Sequence, residues 1–254
     1  AVSYKNPVVD IAMPDPTVIK AADGYFYVYA TESTRNVPIM KSKNLVQWTY
    51  CNTAFTNKTR PRFEPKAGIW APDINYINNK YVLYYAMSVW GGEQTCGIGV
   101  ATADSPQGPF TDHGKMFRSN EIGVQNSIDP SFLQYEGRNY LVWGSFRGIY
   151  VIELTEDGLS LKQGAEKKRI AGTAFEAAYI HKHGDYYYMF ASIGSCCRGV
   201  ESTYKVVVGR SKKVWGPYKD KSGKPMLKNG YSLVIGANDY FVGNGHGSQM
   251  IRDD

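Results

Sequence analysis

Apolar and polar positions alternate along this chain in short runs, the period expected of β-strands. Tyr25, Tyr27 and Tyr29 take one parity, and Phe26 and Val28 take the other. Turn signals separate the runs: Ala22-Asp-Gly24, Asn78-Asn79, Glu136-Gly137, His183-Gly-Asp185 and Ser222-Gly223. No stretch carries the longer period of an extended amphipathic helix. Short strands with such punctuation predict an all-β sandwich, barrel or propeller.

A repeat chooses among the three. Four segments open on a similar phrase and close on a similar apolar run. They are Asp15-Pro-Thr-Val-Ile to Tyr29-Ala30, Ala71-Pro-Asp-Ile-Asn to Tyr85-Ala86, Asp129-Pro-Ser-Phe-Leu to Trp143-Gly144, and Glu176-Ala-Ala-Tyr-Ile to Phe190-Ala191. Laid over one another without gaps, they start 56, 114 and 161 residues after the first. Spacings of this size suit one four-stranded propeller blade each. Third strands are expected at Gly97-Ile-Gly-Val-Ala-Thr102 and Lys205-Val-Val-Val-Gly-Arg210. A fifth copy opens at His246, and the chain stops at Asp254 before its aromatic strand. The expected fold is one domain over 1–254, a five-bladed β-propeller with an incomplete fifth blade.

Composition narrows the function. Hydrophobic residues make up 43% of the 254, and the 20 tyrosines suit half-buried strands and sugar-facing surfaces. No apolar run approaches the roughly 20 residues of a membrane-spanning helix. The net charge of +6 is scattered, with Lys167-Lys168-Arg169 its tightest group, so a nucleic-acid face is not indicated. Cys51, Cys96 and the adjacent Cys196-Cys197 offer no zinc spacing, and buried or pocket-lining thiols are expected. Neighbouring cysteines bridge only with unusual backbone geometry.

The repeat puts Asp15, Asp129 and Glu176 in one column, with Ala71 in the second copy and His246 in the fifth. The innermost strand of each blade follows the central channel, so the column gathers at one mouth. Carboxylates sharing a partly desolvated site cannot all ionise comfortably, so one can hold a proton while another stays charged. Glycosidic bond cleavage needs that division. An Asp before Pro can simply serve a turn. This accounts for Asp15 and Asp129 but not for Glu176 before Ala177.

These motifs resemble glycoside hydrolase family 43, five-bladed propellers that cleave glycosidic bonds with inversion. The resemblance runs in order through the whole chain. It implies that Asp15 is the general base, that Asp129 orients and tunes the acid, and that Glu176 is the general acid. Ile69-Trp-Ala-Pro-Asp73, Gly194-Ser-Cys-Cys-Arg-Gly199 with Ser202-Thr-Tyr204, and Gly243-Asn-Gly245-His246 are similar to the arabinanase branch. That branch commonly carries His where this chain has Pro14. The implied substrate is the plant cell-wall polysaccharide arabinan, cut at α-1,5-linked L-arabinofuranose within the chain by a secreted or periplasmic enzyme. Trp70 and Trp90 are candidate sugar platforms, and Asn126 and Ser145 are candidate hydrogen-bonding partners of the sugar. His246 is the candidate that helps hold a structural calcium ion through water, with no cofactor required for the chemistry. An α-L-arabinofuranosidase or β-xylosidase on the same scaffold would differ in the shape of its cleft. A non-catalytic carbohydrate-binding propeller would not need three aligned acids.

Overall fold

The computed structural model of the protein describes residues 3–248. Its strands form four four-stranded antiparallel sheets, each meandering in chain order. Blade 1 holds β1 (Thr17–Lys20), β2 (Phe26–Tyr29), β3 (Pro38–Ser42) and β4 (Thr49–Thr53). Blade 2 holds β5 (Gly68–Ile77), β6 (Lys80–Ser88), β7 (Gly97–Ala103) and β8 (Thr111–Arg118). Blade 3 holds β9 (Ser131–Tyr135), β10 (Arg138–Trp143), β11 (Ile149–Glu153) and β12 (Lys168–Ala171). Blade 4 holds β13 (Glu176–His183), β14 (Tyr186–Ile193), β15 (Lys205–Ser211) and β16 (Ser232–Ile235).

The turn signals act as expected. Asn78 and Asn79 both take positive φ, as do Glu136 and Gly137, which suits the twist of a two-residue hairpin. At the first hairpin, Asp23 accepts the Tyr25 amide and the Tyr27 hydroxyl.

Between neighbouring blades the two parities of each strand become two buried faces. Tyr27, Tyr29, Ile39, Phe55, Leu83 and Tyr85 fill the core between blades 1 and 2. Val82, Tyr84, Phe117, Leu141, Trp143 and Ile152 fill the next. Val142, Val151, Phe175, Met189, Val207 and Tyr218 fill the third. The inner strands follow suit, with β1 against β5, β5 against β9 and β9 against β13.

The five-bladed expectation is corrected here, because the described residues form four blades. Residues 236–248 contain no strand and run back toward the channel, and residues 249–254 of the expected fifth copy lie outside the described residues. Among the described residues no fourth core joins blade 4 to blade 1. Tyr188 shows the consequence. It is only half-buried, as are Tyr186 and Phe190 on the same face of β14, whereas Tyr27 and Tyr85 are buried in the first core.

Candidate active site

The inner strands converge around a cavity of ≈ 220 Å³, and Asp15 and Glu176 are not in its lining. Pro16, Asp73, Asp129, Ala177 and His246 all contribute to its wall. Each blade turns into the channel through a residue in the left-handed region: Asp15 at φ 53°, Ala71 at 41°, Asp129 at 59° and Ala177 at 51°. His246 follows at 54°. Non-glycine residues adopt this conformation at a cost, and they cluster where a site over-determines the backbone.

The pattern corrects the alignment of the fourth repeat. Ala177, not Glu176, takes the conformation of Asp15 and Asp129. The pairing agrees: Thr17, Asp73, Ser131 and Tyr179, each two residues beyond the kink, face Tyr29, Tyr84, Val142 and Phe190. Glu176 precedes the kink, as Trp70 does in blade 2. Both sit on the outer side of a register shift, where Trp70 pairs with Ala86 and Glu176 with Ser192. The acid is therefore raised toward the mouth, one residue above the ring that holds the two aspartates.

Three carboxylates meet there in different surroundings. Asp15 keeps 30% of its side chain exposed. Thr31 Oγ1 donates to its Oδ2 at 2.5 Å, and His246 Nδ1 stands 3.1 Å from Oδ1. Asp129 is buried and accepts the Ala177 amide at 3.2 Å. Burial first, then the charges of Glu176 and Asp15, push its carboxyl well above the ordinary range, and the Ala177 amide pulls the other way. Glu176, 8% exposed, accepts Ser145 Oγ at 2.6 Å on Oε2 and the Tyr204 hydroxyl at 2.5 Å on Oε1.

Asn126 and Ser145 were expected to face the sugar. The structure ties them to the acid: Asn126 Nδ2 donates to Ser145 Oγ at 3.0 Å, and Ser145 donates to Glu176. Trp70 and Trp90 lie against each other with ring centroids 5.5 Å apart, and Trp90 is 77% exposed. His246 binds the rim on both sides, because its amide donates to Ser192 Oγ at 2.7 Å while its ring meets Asp15.

Calcium takes roughly six to eight oxygen ligands. Among the described residues no three His, Cys, Asp or Glu side chains converge to cage an ion. All four cysteines are free, and burial first, then Cys197 and more weakly the charges of Glu176 and Asp15, push the Cys196 thiol up.

Sequence reasoning gave no role to Thr31, Ser192 or Tyr204. Thr31 and Ser192 carried a faint signal, since each is a hydroxyl residue just beyond the aromatic run of its repeat. Tyr204 stood in the Ser202-Thr-Tyr204 motif, but nothing local tied it to Glu176, which lies 28 residues away.

Comparison with known proteins matches this geometry to one family. The model of glycosyl hydrolases family 43 matches residues 4–254. An extracellular endo-α-(1→5)-L-arabinanase of Bacillus subtilis strain 168 is 38% identical over 245 residues, covering 91% of this chain and 75% of the relative. An extracellular exo-α-(1→5)-L-arabinofuranosidase of Cellvibrio japonicus is 35% identical, covering 94% and 75%. The structure of a Cellvibrio cellulosa α-L-arabinanase complexed with arabinohexaose superposes with a TM-score of 0.86 at 33% identity, covering 96% of this chain and 84% of that one. Motif order, blade architecture and a match over nearly the whole length agree, and this chain belongs to glycosyl hydrolases family 43.

Proposed function

We propose that this protein hydrolyses α-1,5-linked L-arabinofuranose in arabinan by a single inverting displacement. The observation that carries the reading is the contrast between Asp15 and Glu176. Asp15 is open to water and held by Thr31 and His246. Glu176 is enclosed, with a hydroxyl on each oxygen. In this reading Asp15 takes the proton of an attacking water on one face of the sugar. Glu176 gives a proton to the leaving glycosidic oxygen on the other. Asp129, its carboxyl raised by burial and by the charges of Glu176 and Asp15, orients the acid through the Ala177 amide next to it. These groups transfer the protons without a cofactor.

The relatives named for arabinan support the substrate, and the Cellvibrio complex with arabinohexaose supports an oligosaccharide-binding mouth. Trp70 and Trp90 suit the apolar faces of sugar rings. Action outside the cell is supported by relatives named extracellular. Among the described residues no helix is long and apolar enough to cross a membrane.

Product analysis on linear arabinan tests the reading. The wild-type chain is expected to release oligosaccharides or arabinose, and Glu176→Gln to lose roughly 10²–10⁴-fold in rate. Mixed oligosaccharides early in the reaction mean cleavage within the chain, and a single short product means cleavage from an end. No products from the wild type would overturn the proposal.

A further inference from the structure

The two hydroxyls on Glu176 differ in kind. Tyr204 is buried, and its one hydrogen bond among the described residues goes to Oε1. Burial first, then the charges of Glu176 and Asp129, push its phenol far above its ordinary value. It therefore keeps its proton and is a permanent donor. Ser145 Oγ accepts from Asn126 while it donates to Oε2, so it can turn as the charge on that oxygen changes. The ring of Tyr204 has little freedom. A Cβ built at Gly245 would lie 2.2 Å from Tyr204 Cδ2, so the 243–246 segment packs directly on the ring. The next residue, His246, reaches Asp15.

We propose that Tyr204 is a positioning residue that reserves Oε1 of Glu176 as an acceptor, so that the transferable proton rides on Oε2, and that Gly245 holds Tyr204 in that pose. This rests on the reading of Glu176 as general acid. In the step, the Oε2 proton passes to the glycosidic oxygen as its bond to the anomeric carbon breaks. Water adds its hydroxide to that carbon and its proton to Asp15. Glu176 is left ionised, accepting Tyr204 on Oε1 and Ser145 on Oε2, and solvent returns the proton from Asp15 to Glu176.

The test compares wild type, Tyr204→Phe and Gly245→Ala on two substrates. One is linear arabinan. The other is a dinitrophenyl α-L-arabinofuranosyl oligosaccharide, whose leaving group departs without a proton. On arabinan, Tyr204→Phe is expected to lose about 10- to 100-fold in kcat/KM, the worth of a hydrogen bond to a charged group. On the aryl substrate the loss should shrink to a few-fold. The alkaline limb of the arabinan profile should move to higher pH, because a donor to the ionised acid is gone. Gly245→Ala keeps the hydroxyl but crowds the ring, and the same leaving-group dependence is expected. It answers the question if Tyr204→Phe fails to fold. Equal losses on both substrates with an unmoved limb would overturn the proposal and leave the hydrolase reading intact. A wild-type chain that cleaves neither substrate would overturn both.

Discussion

Asp73 and Asp129 line the same channel wall, yet only one belongs to the proposed chemistry. Asp73 lies two residues beyond the kink of blade 2, where blade 1 has Thr17 and blade 3 has Ser131. Burial pushes its carboxyl up to about 6, against bonds from the Phe132 amide, Asn75 and Thr17 that pull it down. A carboxyl raised in the folded state favours folding when protonated. Its contribution is full below the ordinary value of 3.8 and is lost as pH rises through about 6. Asp73→Asn keeps an oxygen for the Phe132 amide and removes the charge. The variant is expected to be more stable than wild type at pH 8, by at most about 3 kcal/mol. The advantage should vanish near pH 4. Urea unfolding at the two pH values measures it, and an equal difference at both would refute the assignment.

At the level of the strand, the kinks decide where chemistry sits. Ala177 holds φ 51° between the register pairs of Glu176 and Tyr179. A β-branched residue there meets the steric cost of the left-handed region, and glycine does not. Ala177→Val is expected to lose about 1–3 kcal/mol and to displace Glu176, with Ala177→Gly near wild type in both stability and activity. Denaturant midpoints and arabinan cleavage check both halves. The same kink explains a limit of the sequence. Strand periods and turns were legible, because Asn78-Asn79 and the aromatic runs act locally. The gapless repeat placed Glu176 level with Asp15 because both are acids. The backbone places it one residue earlier, since conformation and not residue type defines the column. The ties of Asn126 and Ser145 to the acid were hidden for a related reason. Their bond to each other spans 19 residues and that from Ser145 to Glu176 spans 31, separations that no local pattern reports.

Across the whole molecule, a repeat foretold blades but not how the ring is held. A fifth blade was expected because His246 opens a fifth phrase, whereas the described residues use that phrase as a strap from Ser192 to Asp15. Between blades 1 and 2 an ion pair adds to the hydrophobic core. Arg60 and Glu32 form a buried pair, 7% and 9% exposed at the side chain, with nitrogen and oxygen 2.7 Å apart. Glu32 also accepts the amides of Asn36 and Ile69, so one carboxylate links the end of β2, the approach to β3 and the start of β5. Trp70 and Ala71 follow at once, and the Ala71 amide donates to Thr31, the partner of Asp15. Removing Arg60 leaves Glu32 buried without its partner, a change that costs about 3–5 kcal/mol in comparable pairs. Arg60→Ala is expected to lose that much stability in urea unfolding. The double variant Arg60→Met with Glu32→Gln removes both charges but keeps an oxygen for only one of the two amides, which bind different oxygens of Glu32, so it should recover part of the loss. Recovery of stability without recovery of arabinan cleavage would mean that the pair aligns Thr31 and Asp15 as well as joining the blades. A double variant no more stable than Arg60→Ala would show that the amide contacts, not the ion pair, hold this seam.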